Sequence, residues 1–169
     1  MLLERPTREN ADCIHLLGTG ESSDAYHMTA PHPQGKGAEL AMNKALKQAR
    51  RAPREIDYLN LHATGTPKND ASELAAVDRV FASDVYCSGT KGLTGHTLGA
   101  AGGIEAVIAL LAIEFSFRPG SCGLNKVDPA FHSKVLKDCQ AQATVNTVMS
   151  NNYGFGGNNA SLVFGSAHE

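Results

Sequence analysis

Between Ala38 and Ala49 apolar side chains recur at Ala38, Ala41, Met42, Ala45, Leu46 and Ala49, the spacing of one helix face, and Pro53 lies just beyond. The segment "IDYLNLH" (56–62) alternates imperfectly and reads as a buried strand. Asp70 and Glu73 form a D-x-x-E pair ahead of Leu74, Val77, Val80 and Phe81, which reads as a capping pattern opening a second helix. "DVYCS" (84–88) predicts a short strand, and Ile104 to Phe115 a helix apolar nearly all round. Such a helix is expected between two layers. "TVNTVMSNN" (144–152) and "ASLVFG" (160–165) close the chain as strands. Residues 1–4 and 12–17 read as short strands, and 18–37, rich in turn formers, as an irregular connection. The alternation predicts an α/β sheet of mixed pattern with helices on both faces.

The unusual residues follow three of the predicted strands. "LNLH" runs into "ATGTPKND", "VYCS" into "GTKGLTGH", and "TVMSNN" into "YGFGGNN". In open α/β sheets sites form at the carboxyl ends of strands, and glycines there let a ligand approach the backbone. No G-x-G-x-x-G, G-x-x-x-x-G-K-[ST] or G-x-S-x-G occurs, which argues against dinucleotide, P-loop and serine-hydrolase chemistry. What remains is His62, Lys91 and His96, with Asp70 and Glu105 nearby in sequence. A neutral imidazole can donate an N–H to a carbonyl oxygen that gains negative charge. A lysine can hold an imidazole in place or bring positive charge to the site, with a carboxylate such as Glu105 to balance it. Enolate formation or carbonyl attack fits this set.

Composition narrows the field. Of 169 residues 42% are hydrophobic and 19% charged, which suits a globular domain, and the net charge of −2 argues against nucleic-acid or anionic-membrane partners. No apolar run is long enough to span a bilayer, and the amino-terminal residues carry no secretory pattern, so the cytoplasm is the expected location. Cys13, Cys87, Cys122 and Cys139 are widely spaced, which argues against a metal site or a disulfide framework. None of the four opens a helix, where the dipole would activate a thiol, so none is taken as a nucleophile.

The motifs "NLHATGTPKND", "GTKGLTGHTLGAAGGIEA" and "SNNYGFGGNNASLV", in this order, resemble the C-terminal half of the β-ketoacyl-acyl carrier protein synthases. The resemblance implies a thiolase-like fold, whose full form has α-β-α-β-α layers. On that reading residues 1–17 belong to strands ending an N-terminal half, 18–35 connect, and 36–169 form the C-terminal half-domain. It implies an acyltransferase of fatty acid or polyketide synthesis that elongates an acyl chain by decarboxylative condensation with malonyl thioester. His62 and His96 match the family's two catalytic histidines, Lys91 its lysine and Glu105 the acidic partner. Thr64 and Thr66 match threonines that bind the phosphopantetheine arm, and Phe155 the gating phenylalanine. No cofactor beyond carrier-protein-borne phosphopantetheine is implied. The implied partners are acyl carrier protein, an N-terminal half or another synthase subunit, and further copies in a homo-oligomer. The family's nucleophilic cysteine belongs to that N-terminal half, so this chain alone is expected to be inactive. A non-catalytic carrier-protein-binding or synthase-pairing module is the alternative. One departure is local: the family usually has glycine after the first histidine, and here Ala63 follows His62.

Overall fold

The computed structural model describes residues 3–5, 7 and 13–166. Its elements run β1 (Ile14–Ser23), α1 (Lys36–Ala49), β2 (Tyr58–Leu61), α2 (Pro67–Phe81), β3 (Tyr86–Gly89), α3 (Lys91–Thr94), α4 (Ala101–Glu114), β4 (Lys134–Val135), β5 (Thr147–Gly154) and β6 (Asn158–Ser166). The strands form one mixed sheet in the order β1-β6-β5-β2-β3-β4. β1, β6 and β5 pair antiparallel, while β5, β2, β3 and β4 are parallel.

Two cores flank the sheet. On one face α1 and α2 bury Met42, Ala45, Leu74, Val77 and Phe81 against Leu59 and Met149. On the other, α4 sets Ala106, Ala109 and Ala112 against Tyr58, Val148 and Phe164. The crossover helices that follow β2 and β3 therefore lie on opposite faces, which leaves a crevice at the carboxyl ends of these neighbouring strands.

Two helix starts differ from the sequence reading. α2 begins with Thr66 as cap and Pro67 in its first turn, where proline's fixed φ and missing N–H are no handicap. Asp70 and Glu73 are thus inside the helix, and Glu73 is buried, so the D-x-x-E pair does not cap it. α4 begins at Ala101 and buries one face only. Val107 and Leu111 on its other side are each 38% exposed, so within this chain the helix is not enclosed between two layers.

The stretch taken for an irregular connection is strand as far as Ser23. Its glycines serve helix packing. A Cβ at Gly18 would lie 2.4 Å from the Ala45 carbonyl oxygen, and one at Gly20 2.0 Å from that of Ala41. The alanines facing them on α1 are the second half of the same device, so strand and helix backbones meet almost directly. Residues 3–4 carry no strand; residues 1–2, the rest of that expected strand, lie outside the described residues. The short β4 and the one-turn α3 had no periodic signal to announce them. Among the described residues no helix is long and apolar enough to cross a membrane.

Close packing of this kind tolerates no added atom. Gly20→Ala is expected to lower unfolding stability by about 1–3 kcal/mol, read as a fall in the urea midpoint; an unchanged midpoint would mean that α1 and β1 can separate freely.

Candidate active site

His62 is the first residue beyond β2, and Lys91 opens α3 two residues after β3. His96 lies in the link between α3 and α4, and Glu105 on the second turn of α4. The three loops singled out in the sequence leave β5, β2 and β3, which are adjacent and parallel, at one edge of the sheet.

Lys91 and Glu105 form a buried ion pair, with side chains 5% and 1% exposed. The Lys91 ammonium also reaches Nδ1 of His62, 3.3 Å away. An ammonium can only donate, so Nδ1 accepts and the proton of the neutral imidazole sits on Nε2. His96 reaches the same state by another route: the Leu98 N–H donates to its Nδ1 at 3.1 Å, which again leaves the proton on Nε2. The two rings meet edge to face with centroids 5.5 Å apart. Both line a cleft of about 1140 Å³.

Burial, then the Lys91 charge, then His96 hold the His62 imidazolium far from favour, with a pKa of about 3. Burial also raises the Glu105 carboxyl, against the pull of the Lys91 ammonium. The result is a neutral N–H donor in a water-poor setting, where its dipole acts on a developing negative charge with little screening.

Glu73 is the residue the sequence reading assigned wrongly. Its Oε1 accepts the His62 N–H and its Oε2 the Ala63 N–H, both at 2.8 Å. Burial lifts this carboxyl to about 7 in opposition to those two donors. The available signal was position: Glu73 stands four and eight residues before Val77 and Phe81, inside the apolar face of α2. Ala63 adopts φ 34°, the left-handed value that glycine takes most readily. Asp70, considered as a neighbour of the site, does not line the cleft, though its charge adds to the rise of the Glu73 carboxyl.

Thr64 and Thr66 line the cleft beside His62, their hydroxyls 2.9 Å apart. Phe155, which is 78% exposed, stands on its rim. Gly99 also lines it, and a Cβ there would meet nothing within 4 Å, so no packing within this chain demands the glycine. Cys87 is buried in β3, where burial pushes its thiol up; Cys13, Cys122 and Cys139 are exposed and do not line the cleft. Among the described residues no group of His, Cys, Asp and Glu could hold a metal ion.

The sequence pattern of the "Beta-ketoacyl synthase, C-terminal domain" family matches residues 14–125. A mitochondrial 3-oxoacyl-[acyl-carrier-protein] synthase of Arabidopsis thaliana is 45% identical over 157 residues, 89% of this chain and 34% of the plant protein. A chain of the complex between the ketosynthase ApeO and its chain length factor ApeC from Xenorhabdus doucetiae superposes with a TM-score of 0.85 at 47% identity, over 91% of this chain and 39% of that one. A chain of a type II polyketide synthase complex of ketosynthase and acyl-carrier protein gives a TM-score of 0.86 at 26% identity, over 91% and 38% of the two chains. The chain thus spans little more than a third of the length of these proteins. It belongs to the β-ketoacyl synthase family, as its C-terminal domain, with the thiolase-like α/β fold.

Removing one member of the buried ion pair strands the other. Lys91→Met is expected to lower stability by about 3–5 kcal/mol by leaving Glu105 unpaired, and the double variant Lys91→Met/Glu105→Leu to recover most of it. Urea denaturation of both variants checks this; equal losses in the two would show that the pair's charges are not what the site is balancing.

Proposed function

We propose that this chain supplies the decarboxylating half of a β-ketoacyl-acyl carrier protein synthase site, with His62 and His96 as paired donors to an enolate oxygen. The observation that carries this reading is the convergence on one cleft of two neutral imidazoles, each with Nδ1 accepting a hydrogen bond and its proton therefore on Nε2. In a malonyl thioester the bond from C2 to the carboxylate breaks and carbon dioxide leaves. The electron pair forms an enolate whose oxygen accepts both Nε2–H bonds, without proton transfer. The enolate carbon then attacks the carbonyl of an acyl-cysteine thioester, forming a C–C bond as the C–S bond breaks and the thiolate departs.

Lys91 and Glu105 act one step back. The ammonium fixes the tautomer of His62 and opposes its protonation, which would convert a donor at low reorganisation cost into a buried charge. Glu105 balances the ammonium. Thr64 and Thr66 stand where a pantetheine arm would enter, and Phe155 at the mouth, where it could cover or expose the thioester. The acyl-cysteine comes from residues outside this chain, on the same polypeptide or on a partner, because Cys87 is buried in its strand and the other three cysteines do not line the cleft. By itself the chain then performs no condensation. Acyl carrier protein is the substrate carrier, and a second synthase subunit a fitting partner; a complex with a chain length factor in one relative and with acyl-carrier protein in another supports both. A purely non-catalytic pairing module gives no reason for a buried ion pair that orients His62 toward the cleft.

Decarboxylation of malonyl-acyl carrier protein by the assembled synthase tests the assignment. His62→Ala or His96→Ala is expected to slow carbon dioxide release by about 10²–10³-fold, the usual effect of deleting a donor to a developing oxyanion. Release at the wild-type rate in either variant would overturn it.

A further inference from the structure

Three observations lie beneath the catalytic loops, at residues that do not themselves line the cleft. Ala63 holds a left-handed backbone. Its N–H and that of His62 are both directed onto the single buried carboxylate of Glu73. And the Ala63 methyl points at the end of β3: a Cβ added to Gly89 would lie 2.5 Å from Ala63 Cβ, and the next nearest atoms, at 3.8 and 3.9 Å, also belong to Ala63. Gly89 itself has no positive φ, so its backbone would accept an alanine. One methyl is what keeps position 89 bare.

The two residues in contact sit at the roots of the two loops that must cooperate. Ala63 follows His62 directly, and Gly89 precedes Lys91 by two residues. A second tie crosses the same gap, from Asn60 Nδ2 to Thr90 Oγ1 at 3.3 Å. The spacing of the loop roots therefore governs how close the ammonium comes to the imidazole. We infer that Ala63 and Gly89, with Glu73 as the clamp, are positioning residues that set the 3.3 Å contact between Lys91 Nζ and His62 Nδ1. The inference rests on the reading of this cleft as a decarboxylation site.

The charged and titratable groups around His62 define what a displaced loop would do. Lys91 approaches it from α3 and His96 from the α3–α4 link, the Tyr153 ring meets it from β5 at 5.5 Å between centroids, Glu105 acts on it through Lys91, and Glu73 holds its backbone from α2. Widening the gap weakens the Lys91 influence first, since that is the charge attached to the β3 side.

The test is a double-variant cycle of Gly89→Ala and Ala63→Gly in the intact synthase that contains this chain. Two quantities are read: kcat and KM for malonyl-thioester decarboxylation across pH, and the His62 imidazole pKa by NMR. Gly89→Ala is expected to lower kcat about ten- to hundredfold with KM nearly unchanged, since a small misplacement at a reacting centre has effects of that order. The His62 pKa should rise as the Lys91 charge withdraws, with burial still holding it below the ordinary imidazole value, and the acid limb of the kcat profile should move with it. Ala63→Gly/Gly89→Ala should return both quantities toward wild type, because the obstructing methyl is gone. Wild-type values in Gly89→Ala, or a double variant as impaired as the single one, would overturn the inference. Should Gly89→Ala fail to fold, Glu73→Gln replaces it: its amide accepts only one of the two N–H groups, and an unmoved kcat and His62 pKa there would equally overturn the inference. Wild-type synthase without decarboxylase activity would instead sink the reading of the cleft, and the pKa comparison would still decide the positioning role.

Discussion

A buried ammonium between a carboxylate and an imidazole is the constraint around which this domain is arranged. Lys91 has almost no contact with water, so its charge needs Glu105, and its remaining donors need acceptors. His62 Nδ1 is one of them. That single requirement selects the tautomer of His62, disfavours its protonation, and joins three elements, β2 through His62, α3 through Lys91 and α4 through Glu105. Burial without the partner would be strongly unfavourable, and the partner without burial would be screened to little effect. Chemistry and stability draw on the same contact.

The sheet makes the contact possible. Because β5, β2 and β3 run parallel and adjacent, their exits share an edge, and because α2 and α4 leave toward opposite faces the edge opens as a crevice. α4 brings Glu105 in from one side on a face otherwise made of alanines, which lets the helix lie close to β5 and β6. Glu73 comes from the other side on α2 and holds the peptide groups at His62 and Ala63. Two buried carboxylates on opposite faces thus govern one histidine, one through its ring and one through its backbone.

Much of this was legible in the chain. The helical spacing of Ala38 to Ala49 and the apolar run from Ile104 gave their helices, and a pattern of strands ending in glycine-rich loops gave the edge where the site lies. Lys91 and His96 stood out in a glycine-rich segment unsuited to a core, His62 at the end of a strand and Glu105 as an acid in an apolar helix, and the structure brings the four together. Other features could not be read because identical residues serve different physical ends. Gly18 and Gly20 look like turn formers, yet they let β1 meet α1. Glu73 fits a capping pattern by spacing alone, and only its place on a buried helix face distinguishes the clamp from the cap. The family's glycine after the first histidine pointed to the positive φ that Ala63 adopts, but its contact with Gly89 depends on two loops meeting in space, which linear order does not encode.

The central claim is that both site histidines are neutral donors through Nε2. The direct measurement is the ¹⁵N–¹H imidazole spectrum of His62 and His96 in the assembled synthase near neutral pH. The account predicts Nε2–H tautomers for both rings, with His62 showing no titration step between about pH 5 and 8. A His62 ring protonated on Nδ1, or an imidazolium with a step in that interval, would contradict it.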